Sequence, residues 1–417
     1  VLILQGVASR FFETLGRRLN ERGHKVVRVN FSAGDAWFWR LRGAINYRGG
    51  LANWPDRVEH LLRTEAVTDI MLFGDCRDIH RAPIELARKL GVTVHVFEEG
   101  YLRPDWITME QGGVNGYSSL PRDPAWYLRL AATLPEWVDP ERVAGGMKQR
   151  VIDDILWNTL TLFSAPFYGG YRTHRPFNPL VEYAGWLRRL LRLRKNRAHA
   201  ERVLSGCVDR PGRAYVLALQ LDSDYQIRVH SPYQGMADVM EEVIASFARK
   251  APADTILVIK NHPLDNGLVN HRANARNLAR RYDVDGRVRF IDGGHLPTLL
   301  DSARGLVIVN STVGMSGLFH QCPTKTLGNP VYNMPGLTFQ GNLDRFWNEG
   351  TRPDLALYQA LVLCIRHLTQ LNGSFYTPRG IDLGVEQALD RLEVMPLPVP
   401  AYGGTDHPAP VPTPLDP

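Results

Sequence analysis

The chain of 417 residues is 44% hydrophobic and 22% charged, an ordinary globular balance with room for two or three domains that each bury a core, and its formal net charge is +6. Four scattered cysteines, Cys76, Cys207, Cys322 and Cys364, form no CxxC pair, which argues against a disulfide framework or a zinc site and for a reducing compartment. There is no run of about 18 apolar residues, and the opening VLILQGVASRFF has no basic lead segment, so the sequence predicts neither a membrane span nor a signal peptide, and a cytoplasmic protein.

Through residue 135 or so, strand and helix patterns alternate. VLILQ (1–5), HKVVRVNF (24–31), DIMLFG (69–74) and VTVHVFEEG (92–100) read as strands, with helices at 10–23 and 80–91 that end in glycine, the residue a left-handed cap prefers. This order predicts a parallel sheet covered by helices on both faces. The last strand runs straight into Glu98 and Glu99. Adjacent strand residues face opposite ways, so one carboxyl group points into any cleft, and burial would raise its pKa into a general acid or base range. Gly100 lets the chain turn, and Arg103-Pro104 sets a cation beside the acids. The plain alternative is a charged strand end.

Residues 136–205 are helical, aromatic-rich and basic. The stretch WLRRLLRLRKNR (186–197) holds six cations and no acid, as many charges as the whole net excess. On a helical wheel Trp186, Leu187, Leu190, Leu191 and Leu193 gather on one side, and Arg188, Arg189, Arg192 and Lys195 on the other. That pattern fits either an anionic membrane surface or a helix with its leucines in the core and its arginines in water. No nucleic-acid motif accompanies the charge.

Strand and helix then alternate again. AYVLALQ (214–220), DTILVIK (254–260), RVRFID (287–292) and RGLVIVN (304–310) read as strands, and 235–251, 296–303 and 313–321 as helices. The stretch 354–393 reads as helical, and the tail from Pro396, with eight prolines in 22 residues, as loosely attached. Three strand ends are strongly polar. Gln220 and Asp224 bracket LDS; Lys260, Asn261 and His262 precede Pro263; Ser311 and Thr312 precede a small-residue helix start. Each is either a capped turn or a ligand site at the carboxyl end of a strand, where open α/β sheets bind their substrates. No Walker lysine motif or dinucleotide fingerprint is present.

Taken in order, LQGVASRFFETLGRRL, VNFSAGDAWFW, FEEGYLRPDWITME, QLDSD, KNHPLD and NSTVGMSGLFH resemble the bacterial capsule-polysaccharide Kdo transferases over residues 1–350. The resemblance implies a GT-B glycosyltransferase, α/β, with two Rossmann-like domains facing a central cleft. It implies transfer of Kdo from CMP-Kdo to a phosphatidylglycerol-type lipid at the inner face of the cytoplasmic membrane, beginning the poly-Kdo linker of a capsule. Asp224 is then the nucleophile of a retaining reaction, Glu98 or Glu99 the acid/base, and His262 a stabiliser of the departing phosphate. Lys260, Asn261, Ser311 and Thr312 would bind the nucleotide, with Gln220, Arg103 and Asn115 as further substrate contacts. Arg188, Arg189, Arg192 and Lys195 would meet the membrane. No metal or cofactor is expected beyond the donor, and no nucleic acid; other capsule biosynthesis and export proteins are expected partners. The expected domains are 1–205 with its basic insertion at 136–205, 206–350, returning helices at 351–395, and the tail 396–417. Tyr225 after Asp224 departs from the smaller residue the family pattern leads one to expect. The rival readings are an inverting, sialyltransferase-like enzyme and a membrane-associated scaffold without turnover.

Overall fold

Short apolar strands separated by amphipathic helices fold into two units, each built on its own sheet. The computed structural model describes residues 1–136, 139–143, 146–171 and 179–393; the tail 396–417 lies outside them. Unit 1 takes the described residues of 1–120, 134–171 and 363–393, and unit 2 those of 121–133 and 179–362.

In unit 1 the strands β1 (Leu2–Ile3), β2 (Val27–Asn30), β3 (Ile45–Asn46), β4 (Asp69–Phe73), β5 (Thr93–Glu99) and β6 (Trp106–Gln111) alternate first with α1 (Phe11–Glu21), α2 (Ala33–Trp37), α3 (Trp54–Thr64) and α4 (Asp78–Leu90). Of the next helices, α5 (Pro124–Ala131), α6 (Met147–Phe163) and α7 (Pro179–Val208), α5 and α7 belong to unit 2 and α6 to unit 1. Unit 2 continues with β7 (Ala214–Ala218), β8 (Ile256–Lys260), β9 (Val288–Ile291), β10 (Ala303–Ile308) and β11 (Thr324–Thr326). Its helices are α8 (Tyr225–Arg228), α9 (Met236–Lys250), α10 (His271–Arg281), α11 (Leu296–Ser302), α12 (Val313–Phe319) and α13 (Leu343–Glu349). The chain closes through α14 (Leu355–Leu368), β12 (Gln370–Asn372) and α15 (Pro378–Glu393).

The unit 1 sheet runs β12-β6-β5-β4-β1-β2-β3, parallel from β3 to β5, with β6 antiparallel to both β5 and β12. Alternation along the strands sorts the core. Leu2, Ile70, Leu72, Val94 and Val96 face Val58, Leu61 and Leu62 of α3, while Ile3, Met71 and Phe97 face Phe11 and Leu15 of α1 and Val385 of α15. Each such side chain, fully buried, contributes roughly 1.5–3 kcal/mol. Where the sequence reads as helix throughout 354–393, β12 interrupts it: Gln370, Leu371 and Asn372 pair with Thr108, Ile107 and Trp106 and extend the sheet.

The unit 2 sheet is all parallel, in the order β11-β10-β7-β8-β9. Its central strands β7, β8 and β10 are buried on both faces over most of their length, which is why they read as apolar runs. In both sheets the chain winds one way from the first strand and then returns to its other side, so each has a switch point, between β1 and β4 in unit 1 and between β7 and β10 in unit 2. Ligands bind outside the carboxyl ends of strands at such points. The sequence reading ends its first domain at 205, whereas α7 packs with β9 and α11 and belongs to unit 2. No helix among the described residues is long and apolar enough to cross a membrane.

Candidate functional site

In unit 2 the three strands around the switch point deliver their polar ends to one edge. Gln220, buried just past β7, accepts from the Asn310 amide beyond β10 (2.9 Å) and turns its own amide toward Asp224 Oδ2 (3.5 Å). Asp224 also caps α8, its Oδ1 accepting from the Gln226 amide at 2.9 Å. Asn310 Nδ2 donates to the carbonyls of Gln226 and His230, both at 2.8 Å. The QLDSD run is therefore a capped turn and a tethered carboxylate at once. Asp222 takes a separate job: it accepts from the Met236 amide (2.7 Å) and meets His271 Nε2 at 3.2 Å. Burial works to raise the Asp222 pKa, but these two donors hold it below the ordinary value.

Beyond β8, Lys260 is buried and donates Nζ to the Gly293 carbonyl at 3.0 Å. Burial lowers its pKa, the Asp292 carboxylate opposes that, and Arg189 adds to the lowering. Asn261 is used by the loop itself: Nδ2 donates to Asp265 (2.9 Å) and Oδ1 accepts from the His262 amide (3.0 Å). Its side chain builds the turn expected to bind nucleotide. The Leu264 amide donates to His262 Nδ1 at 3.1 Å, which puts the proton of a neutral ring on Nε2. Ser311 Oγ accepts from the Val313 amide (3.2 Å) at the start of α12, while Thr312 makes no side-chain cap.

Arg189 corrects the membrane assignment. Its side chain is 14% exposed and forks onto Asp292, with Nη2 at 2.6 Å from Oδ1 and Nε at 3.3 Å from Oδ2. It also donates to the carbonyls of His262 (3.3 Å), Pro263 (2.7 Å) and Asp265. Because residue 189 lies on the face of α7 turned toward β8 and β9, it clamps the His262 loop instead of facing lipid. Arg188, Arg192 and Lys195 are exposed.

In unit 1 the neighbouring acids part company. Glu98 shares the face of Val94 and Val96, and Glu99 that of Phe97. Glu99 meets Arg150 Nη1 at 3.0 Å, the exposed Arg103 Nη1 at 3.8 Å, and accepts from the Tyr376 hydroxyl at 3.5 Å. Glu98 has no ion pair among the described residues and accepts from the Glu99 amide at 3.0 Å. Burial pushes its pKa up to about 8; that amide and Arg77 pull it down, while the Glu99 and Asp75 charges push it further up. Glu98 is thereby held protonated near neutrality. Asn115, at φ 58° after β6, donates its amide to the Tyr101 hydroxyl at 2.7 Å.

Beside Glu98 lies a buried network around the β1–β4 switch point. Gln5 Nε2 donates to both Asp35 oxygens (3.2 and 3.0 Å), and Arg77 Nη1 donates to Gln5 Oε1 (2.9 Å) and the Gly6 carbonyl (3.0 Å). Asp35 further accepts from the Phe31 amide (2.9 Å) and Trp157 Nε1 (3.1 Å).

A family model described as "Capsule polysaccharide biosynthesis protein" matches residues 68–376. The chain belongs to that family. It is 35% identical to the capsule polysaccharide export protein KpsS of Escherichia coli over 90% of this chain and 96% of that protein. It is 33% identical to the capsule polysaccharide modification protein LipB of Neisseria meningitidis serogroup B over 90% and 91%. Among solved structures, the beta Kdo 2,7 transferase KpsC of Thermosulfurimonas dismutans aligns at 16% identity with a TM-score of 0.44, covering 94% of this chain and 98% of that one. For this capsule family member, sequence reasoning passed over Gln5, Asp35, Arg77 and Asp292. A signal existed for Gln5, a lone polar residue directly behind the apolar run VLIL.

Proposed function

We propose that this capsule biosynthesis protein is a retaining Kdo transferase that takes Kdo from CMP-Kdo and places it on a phosphatidylglycerol-type lipid at a membrane surface, starting a poly-Kdo linker. Family membership and the order of the strand-end motifs support the substrate class. The observation that carries the reading is the join at the β7–β10 switch point, where Gln220 ties the Asn310 amide to the Asp224 carboxylate. His262, Ser311 and Thr312 would take the phosphate of CMP, with Lys260 adding positive charge beneath them; Arg103 and Asn115 are proposed substrate contacts from unit 1. Stabilising the leaving group by fixed donors of this kind is often the largest catalytic contribution.

The chemistry then runs in two displacements. An Asp224 oxygen attacks the anomeric carbon of Kdo as the bond to the CMP phosphate breaks and CMP departs. The acceptor hydroxyl next attacks the same carbon, its proton passes to the Glu98 carboxylate, and the bond to Asp224 breaks. Two inversions give net retention. The fixed donors that hold the phosphate need no metal or cofactor.

One observation favours a second reading. Asp224 already caps α8, and if that is its whole role, Glu98 alone would act as general base in a single inverting displacement. Mass spectrometry and NMR of the product from CMP-Kdo and a short-chain phosphatidylglycerol separate the two. A single β-linked Kdo on the lipid supports the proposal, an α-linked one the inverting enzyme, and intact donor and lipid would leave a scaffold.

A further inference from the structure

Helix α7 has two dissimilar sides. One docks on the carboxyl ends of β8 and β9 through residues spaced four, seven and four apart. A Cβ added at Gly185 would stand 2.5 Å from the Asn266 carbonyl, so helix and loop touch there backbone to backbone. Arg189 holds the 262–265 loop, Asn196 Nδ2 donates to Asp292 at 3.0 Å, and Ala200 is buried against Gly293.

The opposite side is in water and apolar. Leu187, Leu190 and Leu191 are 60, 63 and 79% exposed. The sequence leaves two places for these leucines, the core or a lipid surface, and the structure keeps them out of the core. Flanking them are the exposed cations Arg188, Arg192, Arg194, Lys195 and Arg197, and no acid occurs between Glu182 and Glu201. Helix α10 widens the positive field with Arg272 and Arg276, also without an acid along its length. Burial lowers the Arg272 pKa, Asp292 opposes this, and Arg276 and Arg192 lower it further, which places the three guanidinium groups in one field.

We infer that the outer face of α7, joined by Arg272 and Arg276 of α10, is a docking surface for an anionic lipid bilayer. Charge complementarity selects this occupant. Phosphate headgroups satisfy the cations while the three leucines enter the acyl boundary, and long basic side chains reach back to the headgroups. A nucleic acid would leave the leucines in water, and a protein interface would bury several cations without partners. Since Arg189 grips the His262 loop from the other side of the same helix, docking sets that loop about one helix diameter, roughly 10 Å, from the bilayer. The inference concerns binding alone and does not rest on the proposed activity.

The test is sedimentation of the purified chain with vesicles of phosphatidylserine in phosphatidylcholine, without donor, a headgroup outside the proposed acceptor class. Binding should require the anionic lipid and weaken with salt. Replacing Arg188, Arg192, Arg194, Lys195 and Arg197 by Gln should reduce partitioning at least about a hundredfold. Leu187→Ser, Leu190→Ser and Leu191→Ser together, which keep every charge, should also release the protein. Both variants should melt near the wild-type temperature. Vesicle binding by either variant at wild-type strength overturns the inference. So does binding indifferent to lipid charge, or a dimer that dissociates in the leucine variant, which would make a second copy the occupant.

Discussion

The two sheets share a winding and use their carboxyl edges differently. In unit 1 the polar groups at the switch point satisfy one another side chain to side chain: Arg77 holds Gln5, Gln5 holds Asp35, and Asp35 also takes an indole and an amide. Glu98 lies beside that network with no ion pair among the described residues, and burial pushes its pKa up to about 8. In unit 2 side-chain pairs such as Arg189–Asp292 and Asn261–Asp265 are joined by many bonds to backbone. Lys260 and Arg189 donate to carbonyls, and Asn261 and Asp224 accept from amides. The result is a rigid, cation-rich rim around His262. In the proposed reaction the first edge would hold and release a proton and the second would receive an anion. Glu98 and Glu99 repeat the contrast one residue apart, since Arg150 reaches only the second.

The severest test of this division is Asp224→Asn. Asparagine keeps the oxygen that caps α8, so melting temperature and CMP affinity should stay near wild type while transfer falls by on the order of 10⁴-fold or more. A variant that retains turnover would reduce Asp224 to its capping role.

Glu98→Gln should cost about 10²–10⁴-fold in transfer, as loss of a general acid/base does. The wild-type rate should climb with pH through about 8, where the carboxyl group ionises and can accept the acceptor's proton. That limb should vanish in Glu98→Gln and survive in Glu99→Gln. Stability carries the same signature. A carboxyl group with a folded pKa of about 8 against an ordinary 4.5 favours the folded state fully below pH 4.5, and that contribution is lost as pH rises toward 8. Wild type should therefore lose melting temperature over this window relative to Glu98→Gln. Parallel curves would place the raised pKa elsewhere.

His262→Ala should remove about 2–4 kcal/mol of transition-state stabilisation with little change in melting temperature. The smallest functional effect belongs to Arg189→Lys. It retains the charge near Asp292 but not the fork that reaches three carbonyls. CMP affinity should weaken about tenfold, and hydrogen exchange across 262–265 should quicken. Unchanged exchange would show that the loop holds itself.

Much of this was legible before any coordinates. Strands such as LVIK and LVIVN announce themselves because both faces are buried, and the polar residue that ends each run marks the carboxyl edge. What the chain order hides is pairing at a distance. That Glu99 has an ion-pair partner in Arg150, about fifty residues away on α6, cannot be read from the adjacent acids. Arg189 looks like its neighbours on a basic helix until Asp292, 103 residues further on, neutralises it. The leucines of 186–197 could as well have filled a core; only the docked face of α7 decides that they do not. β12 is three residues long, too short for alternation to show.

The central claim is that Asp224 forms a bond to the transferred sugar. Intact-protein mass spectrometry of the wild-type chain given CMP-Kdo without acceptor tests it most directly. The account predicts one added Kdo residue, mapped by peptide analysis to Asp224, absent from Asp224→Asn and discharged by a short-chain phosphatidylglycerol. A wild-type protein that turns over CMP-Kdo onto lipid while never gaining mass, or that gains it equally in Asp224→Asn, would contradict it.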